Sequence, residues 1–178
     1  MYRRIHVVCL AFVSFCLSAA DAPAFKASVI EVKPQHLLVI KATVKPEEIG
    51  KKLGEILPKV RKFAESKKLK IVSPPLTKYV KMGDGSFDIE AGMAVSEEAK
   101  GEGEIVASKL PGGKAAVTTH FGAYTGLGDA WTKLKQWVAD KKLATGEAWE
   151  VYASDPTMVK EADVRTDIFI EVKEEKAK

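Results

Sequence analysis

The segment Trp149-Glu150-Val151-Tyr152 contains the residues of this sequence that are best suited to chemistry. Side chains alternate between the two faces of a strand, so Glu150 and Tyr152 share one face. Trp149 and Val151 lie on the other face, which has the composition of a core. A carboxylate held among aromatic rings loses water, which either raises its pKa or favours a bound cation. The segment therefore predicts a site for a positively charged aromatic molecule, helped by cation–π contacts.

Glu150 also has two plainer interpretations. It could be a surface glutamate on a half-exposed strand, or a buried structural partner of a lysine such as Lys78. Tyr152 is more typical of a cavity wall than of a catalytic acid, so only Glu150 is a candidate catalytic residue.

Further residues are weaker candidates for the same site. Tyr79 is a strand residue that could face the same side, and Glu90 alternates away from the apolar face of its own strand. His120 and Tyr124 lie in a connection between a strand and a helix, where binding residues are common. His120 could be a proton shuttle or a haem ligand, but a hydrogen-bonded structural histidine is the commoner alternative. The full predicted ligand-binding set is Glu150, Tyr152, Trp149, Tyr79, Glu90, His120 and Tyr124.

Familiar catalytic and cofactor motifs are absent from the sequence. It has no Gly-x-Ser-x-Gly elbow, no phosphate loop and no His-Glu-x-x-His helix. Both cysteines, Cys9 and Cys16, precede residue 20, and only His36 and His120 remain as histidines after it. We therefore expect no metal site and no cofactor. Whether the protein is an enzyme stays open.

Two similar halves position these residues, offset by roughly 80 positions. Each half begins with two apolar strands separated by a break, at Pro34 in the first half and at Pro111-Gly112-Gly113 in the second. A helix follows, and two more strands complete each half. Segment 96–103, which is polar and contains Gly101 and Gly103, joins half one (29–95) to half two (104–172).

The helices are predicted from apolar residues at three- and four-residue spacing, which we assign to the core. Pro46 suits the first helical position, and Pro58 is expected to kink or restart the first helix. The apolar positions are Ile49, Leu53, Ile56, Val60 and Phe63 in the first helix, and Leu127, Trp131, Leu134 and Val138 in the second.

These elements predict an α+β fold built from tandem duplicated β-α-β-β units. One long helix per half covers one face of an antiparallel sheet. Two related halves packed together leave a cleft at their pseudo-twofold seam, and small-molecule sites favour such seams.

Residues 1–20 have the pattern of a secretory signal peptide. A basic start at Arg3-Arg4 is followed by the apolar run Ile5 to Leu17 and by small residues ending at Ala20. We expect cleavage after Ala20 or Ala22, a linker at 21–28, a charged tail at 173–178, and a periplasmic or extracellular protein. No membrane span is expected once the signal is removed. The lysines are scattered beside glutamates, so no nucleic-acid partner is expected either, and the oligomeric state stays open.

An ordered set of motifs resembles the GyrI-like small-molecule-binding domain. The same module is the effector-binding domain of AraC-type and BmrR-like multidrug-sensing regulators. The resemblance extends from about Val29 to Val172. The motifs are Thr77-Lys-Tyr79, the strand from Phe87 to Val95, Leu110-Pro-Gly-Gly-Lys114, His120-Phe-Gly-Ala-Tyr124, and Trp149-Glu-Val-Tyr152 followed by Asp155-Pro156.

The resemblance implies a ligand cleft in which Glu150 meets cationic or electrophilic aromatic compounds. Some stand-alone members are hydrolases that open cyclopropane-bearing genotoxins. By that likeness Glu150 would orient or deprotonate a water, and Tyr152 or Tyr124 would position the substrate. The sequence contains no helix-turn-helix segment, and the signal peptide favours a free-standing exported binder or hydrolase over a regulator. Haem binding of the SOUL type is a further alternative, since that architecture is similar.

Overall fold

The computed structural model describes residues 25–83 and 85–173. The predicted signal peptide and residues 174–178 of the charged tail lie outside the described residues, so export and the cleavage site stay predictions. The described chain contains two α-helices, α1 (Ile49–Ser66) and α2 (Leu127–Asp140). Its strands are β1 (Ala27–Val32), β2 (Gln35–Val44), β3 (Leu76–Gly83), β4 (Ser86–Val95), β5 (Ile105–Leu110), β6 (Gly113–Phe121), β7 (Thr145–Tyr152) and β8 (Arg165–Val172).

All strands belong to one antiparallel sheet in the order β1-β6-β8-β7-β3-β4-β2-β5. The counterparts in the two halves are β1 and β5, β2 and β6, β3 and β7, and β4 and β8. When each strand is exchanged for its counterpart, the same order results, read from the opposite edge of the sheet. A pseudo-twofold axis therefore passes between the central strands β3 and β7. The predicted α+β fold of duplicated β-α-β-β units is confirmed.

The first strand of each half lies at the edge of the other half. β1 pairs with β6, and β5 pairs with β2. The breaks at Pro34 and around Gly112 redirect the chain between sheet ends, since β1 and β2 never pair with each other. β1 begins at Ala27, inside the segment interpreted as a linker, because its main chain completes the edge of half two.

The two helices cover one face of the sheet, as predicted. α1 follows a short 3-10 turn, Pro46–Glu48, in which proline and two glutamates suit a helix start. Its buried positions Ile56 and Val60 belong to the predicted apolar stripe. α1 continues through Pro58 and does not restart there. Neither helix of the described chain is long and apolar enough to cross a bilayer.

Apolar side chains fill both faces of the sheet. Leu38 and Ile40 of β2 pack in the cluster beneath α1, while Leu37 and Val39 belong to a cluster on the opposite face. A third cluster lies beneath α2, around Leu134. Because residues on both faces are buried, the central strands consist of apolar runs with few polar residues. The buried polar residues on these strands therefore stand out.

Candidate ligand-binding site

A large cavity lies between α1 and α2, above the central strands of the sheet. Its volume is about 1100 Å³, at the upper end of the range for small-molecule pockets. Both helices, β3, β4, β7 and the loop after β7 contribute to its wall, which is mostly apolar. The cavity is thus shared by the two halves, at the seam where duplication predicts a cleft.

The pairing of β3 with β7 brings the polar residues of the floor together. Thr77 lies opposite Glu150, and Tyr79 lies opposite Ala148. Side chains of paired residues project from the same face, so Thr77, Tyr79 and Glu150 all face the helices. Tyr152 follows two residues later on that face. Glu150 is only 2% exposed, although its strand borders an open cavity.

Aromatic donors hold the Glu150 carboxylate. Its Oε1 accepts a hydrogen bond from the Trp131 indole at 2.5 Å, and its Oε2 accepts one from the Tyr152 hydroxyl at 2.9 Å. The Tyr152 oxygen also lies 2.9 Å from Thr77 Oγ1. A phenol has a single proton, so Thr77 donates to Tyr152 while Tyr152 donates to Glu150. The Tyr79 hydroxyl is a further donor to the carboxylate.

Burial raises the pKa of Glu150. The hydrogen bonds from Trp131, Tyr152 and Tyr79 and the nearby His120 lower it, but they offset the cost of desolvation only in part. None of the ion pairs described within 25–83 and 85–173 involves Glu150. The floor therefore holds a carboxylate that is hydrogen-bonded but has no neutralising cation.

The neighbouring phenols act as donors and not as bases. Burial, and next the charge of Glu150, hold the pKa values of Tyr79 and Tyr152 well above the usual range. Both hydroxyls therefore stay protonated at physiological pH. Their protons are available to the carboxylate, and neither oxygen is a ready acceptor for a substrate proton.

Aromatic rings surround the carboxylate in edge-to-face pairs. Tyr79 lies 5.5 Å from Trp131 and 5.7 Å from Phe87, measured between ring centroids, with interplanar angles of 82° and 86°. Tyr124 contacts Tyr152 at 5.9 Å and 76°. Such pairs fix the rings relative to each other and favour contact with a cation.

Charged side chains of both signs lie at the rim. Lys135 places its Nζ 5.6 Å from the Trp131 ring centroid and 3.9 Å from Met82 Sδ. Asp155, in the loop after β7, is exposed, and hydrogen bonds from the Thr157 hydroxyl and amide lower its pKa. Arg61 of α1 also lines the cavity. The rim is therefore mixed in charge, while the floor is acidic.

Four of the seven predicted site residues line this cavity: Glu150, Tyr152, Tyr79 and Tyr124. Trp149 lies on the opposite face of β7, as strand alternation requires. Its ring stacks on Phe169 with centroids 5.2 Å apart and packs in the cluster on that face.

Glu90 also lies on the face away from the helices. It forms an ion pair with Lys78 at 2.8 Å, and it accepts a hydrogen bond from Ser108 at 2.5 Å. Burial alone would raise the pKa of Glu90, but these contacts and the one with Lys41 lower it. Lys78, one candidate partner for Glu150, is therefore paired with Glu90 in a separate buried network.

His120 is the penultimate residue of β6, shortly before the start of α2, and does not line the cavity. Its Nε2 lies 3.0 Å from the Ala123 carbonyl oxygen. A Cβ at Gly126 would come within 2.7 Å of the imidazole, so a larger residue there would have to displace the ring. These contacts match the structural alternative for His120. Within the described ranges, no group of three or more histidine, cysteine, aspartate or glutamate residues is arranged to hold a metal ion.

Two residues of the site were not among the predicted set. Trp131 was assigned to the core stripe of α2, and it does pack there, but its indole N–H binds Glu150. A buried indole N–H needs an acceptor, and this requirement was the available signal. Thr77 gave no such signal, since a threonine is ordinary in a strand.

The sequence matches a family described as the GyrI-like small molecule binding domain over residues 26–173. No curated protein matches it significantly. Among solved structures, the EcmrR C-terminal domain is similar with a TM-score of 0.72 and 23% identity, covering 84% of this chain and 99% of that one. The chain spans 58% of the length of EcmrR in an EcmrR–DNA complex.

Two further structures share the fold at lower identity. SAV2435 bound to tetraphenylphosphonium has a TM-score of 0.61 and 14% identity, covering 83% of this chain and 94% of that one. A hydrolase from Listeria innocua has a TM-score of 0.56 and 13% identity, covering 86% and 94%. At these identities the likeness shows the fold alone.

Proposed function

The chain belongs to the GyrI-like family of small-molecule-binding domains, and we propose that its cavity binds hydrophobic aromatic cations. In this proposal the ligand lies between α1 and α2, and Glu150 supplies the opposite charge. The aromatic side chains around the floor contact the ligand's rings.

One observation carries this proposal: a carboxylate that is 2% exposed faces a cavity of about 1100 Å³, and its donors are aromatic groups. A buried anion without a counter-charge is costly, and a cation in the cavity would reduce that cost. The wall is apolar, so a ligand with diffuse charge and large rings loses little hydration there. SAV2435, which has the same fold, binds a cation of this kind.

Hydrolysis with Glu150 as the base is the alternative, and the geometry supports it less. Each carboxylate oxygen already accepts a hydrogen bond, from Trp131 and Tyr152 respectively. The neighbouring phenols stay protonated and cannot relay a proton as bases. Haem binding gains no support, because His120 contacts the Ala123 carbonyl and lies outside the cavity lining.

Titration calorimetry with tetraphenylphosphonium tests the proposal. We expect binding by the wild-type protein and about 30-fold weaker binding by Glu150→Gln, since losing one partner of a buried charge pair costs about 2 kcal/mol or more. Glu147→Gln, an exposed change on the same strand, is the matched protein control. Tetraphenylborate, of similar shape and opposite charge, is the ligand control and should not bind.

Equal affinity of Glu150→Gln and the wild type for tetraphenylphosphonium would refute the role of Glu150. Conversion of ester or cyclopropane-bearing compounds by the wild type, lost in Glu150→Gln, would favour the hydrolase.

A further inference from the structure

The side of α1 that faces the cavity exposes its main chain. Gly50, Gly54 and Pro58 follow each other at four-residue spacing, and all three line the cavity. A Cβ built at Gly50 or Gly54 would meet no atom within 4 Å. Residues four apart lie on one helix face, so this strip of the wall is formed by backbone atoms and the proline ring.

Pro58 changes the hydrogen bonding of this strip. Proline has no N–H, so inside α1 it cannot donate to the carbonyl of Gly54, four residues earlier. A proline ring inside a helix also crowds the carbonyl four residues earlier, which weakens the helical geometry there. Gly54 has no side chain to cover the oxygen. A main-chain acceptor without its helical partner therefore lies on the cavity side of α1.

An acceptor in an apolar wall favours ligands that can donate to it. Leu53 and Leu57 flank the strip on the same helix, and the Glu150 carboxylate lies on the floor. A ligand without a donor would displace water from the Gly54 oxygen without replacing the hydrogen bond that the water makes, and this loss lowers the affinity. A ligand with an N–H group there would replace the water.

We propose that the Gly54 carbonyl, freed by Pro58, is a second polar contact for the ligand and selects aromatic cations that carry amino N–H donors at the edge of the ring system. This inference rests on the proposed function, because it assumes that the cavity binds cations at Glu150. The ligand class is then an aromatic cation with an amino or amidine-like group at an edge of its ring system.

The test compares two dyes with the same tricyclic cation. Both carry the N–H of the protonated ring nitrogen, so they differ only in their edge amino groups, which are NH₂ in proflavine and dimethylated, without an N–H, in acridine orange. Pro58→Ala restores an N–H that can bind the Gly54 oxygen within the helix. The variant should fold and melt at a higher temperature, because an interior proline costs a helix about 3 kcal/mol.

We expect Pro58→Ala to bind proflavine about fivefold more weakly than the wild type, the loss expected for one hydrogen bond. Its affinities for acridine orange and tetraphenylphosphonium should change less than twofold. Pro74→Ala, a cavity-lining proline outside the helices, is the matched control and should leave the ratio of the two dye affinities unchanged.

An unchanged ratio of the two dye affinities in Pro58→Ala, whether neither affinity changes or both fall equally, would overturn the inference while leaving the proposed function intact. Failure of the wild-type protein to bind any of the three cations would refute the proposed function and this inference together.

Discussion

At the scale of single residues, Glu150 is the group on which the site depends. Its raised pKa means that the carboxyl binds a proton more readily in the folded, ligand-free protein than an exposed glutamate does, while a cationic ligand favours the ionised form. Proton and ligand therefore compete. Tyr79, Tyr152, Trp131 and His120 are the groups that modulate this balance.

The affinity for tetraphenylphosphonium, whose own charge does not titrate, should rise with pH. We expect weak binding in acid and a rise as pH passes the pKa of Glu150, with a midpoint above the usual glutamate value of 4.5. Calorimetry from pH 4 to pH 9 measures this rise. Glu150→Gln should show no such rise.

His120→Gln tests whether the histidine causes the pH dependence, since histidines also change charge near neutral pH. The affinity of this variant for tetraphenylphosphonium should still rise with pH. A flat profile in His120→Gln would assign the dependence to the imidazole.

The raised pKa of Glu150 also predicts how the stability of the fold changes with pH. A carboxyl whose folded pKa lies above its unfolded pKa stabilises the fold at low pH, and this contribution is lost as pH rises through the folded value. Ligand-free Glu150→Gln should therefore lose less stability than the wild type between pH 4 and pH 9. This result would agree with the binding profile.

Trp131→Phe should separate the hydrogen bond from the packing of the indole ring. The variant keeps a ring in α2 but removes the donor to Glu150 Oε1, so the pKa of Glu150 should rise further. We expect about tenfold weaker binding of tetraphenylphosphonium at neutral pH, as for a lost hydrogen bond to a charged group. The binding midpoint should move to higher pH.

Trp137→Phe is the matched control for that prediction. Trp137 lies in the same helix and packs in the cluster beneath α2 without lining the cavity. It should bind like the wild type. An unmoved midpoint in Trp131→Phe would mean that the indole does not support the carboxylate.

At the scale of elements, close contact between strands fixes a glycine in β4. A Cβ at Gly92 would come within 1.9 Å of the Leu38 carbonyl oxygen in β2. That neighbour is main chain and cannot move aside without breaking the sheet. Gly92→Ala should cost about 3 kcal/mol of unfolding free energy, measured by denaturant titration.

Gly128→Ala is the contrasting change. Gly128 lies in α2, and a Cβ there would meet nothing within 4 Å. Alanine should stabilise this helix by about 0.5–1 kcal/mol. Equal stability of the two variants would contradict the contact described for β4.

The sequence predicted the helices and strands better than it predicted the side-chain contacts between them. Alternation on β7 separated Glu150 from Trp149, and the apolar spacing located both helices, because local periodicity follows burial directly. The same alternation in β4 placed Glu90 away from the apolar face, where it binds Lys78. The indole bond of Trp131 depends on a contact between α2 and β7, which periodicity within one element cannot show.

At the scale of the whole molecule, the exchange of β1 and β5 makes each half depend on the other. Without half two, β2 loses its neighbour β5 and β3 loses β7. Exposed central strands are unstable and prone to aggregate. Fragments 25–100 and 101–173 should each lack cooperative thermal unfolding by circular dichroism, and mixing them should restore it.

A fragment that unfolds cooperatively as a monomer would contradict this dependence. The intact described chain, residues 25–173, is the control and should unfold in one transition.

The position of the last strand also bears on when the chain can fold. Of the described strands, β8 is synthesised last, yet it lies between β6 and β7 inside the sheet. In addition, Ala27 in β1 pairs with Thr118 in β6, which is distant in the sequence. The sheet cannot close until synthesis reaches Val172, and such distant pairings form slowly. The order of the strands in the sheet therefore differs from the order of their synthesis, and completion of the sheet has to follow synthesis of β8.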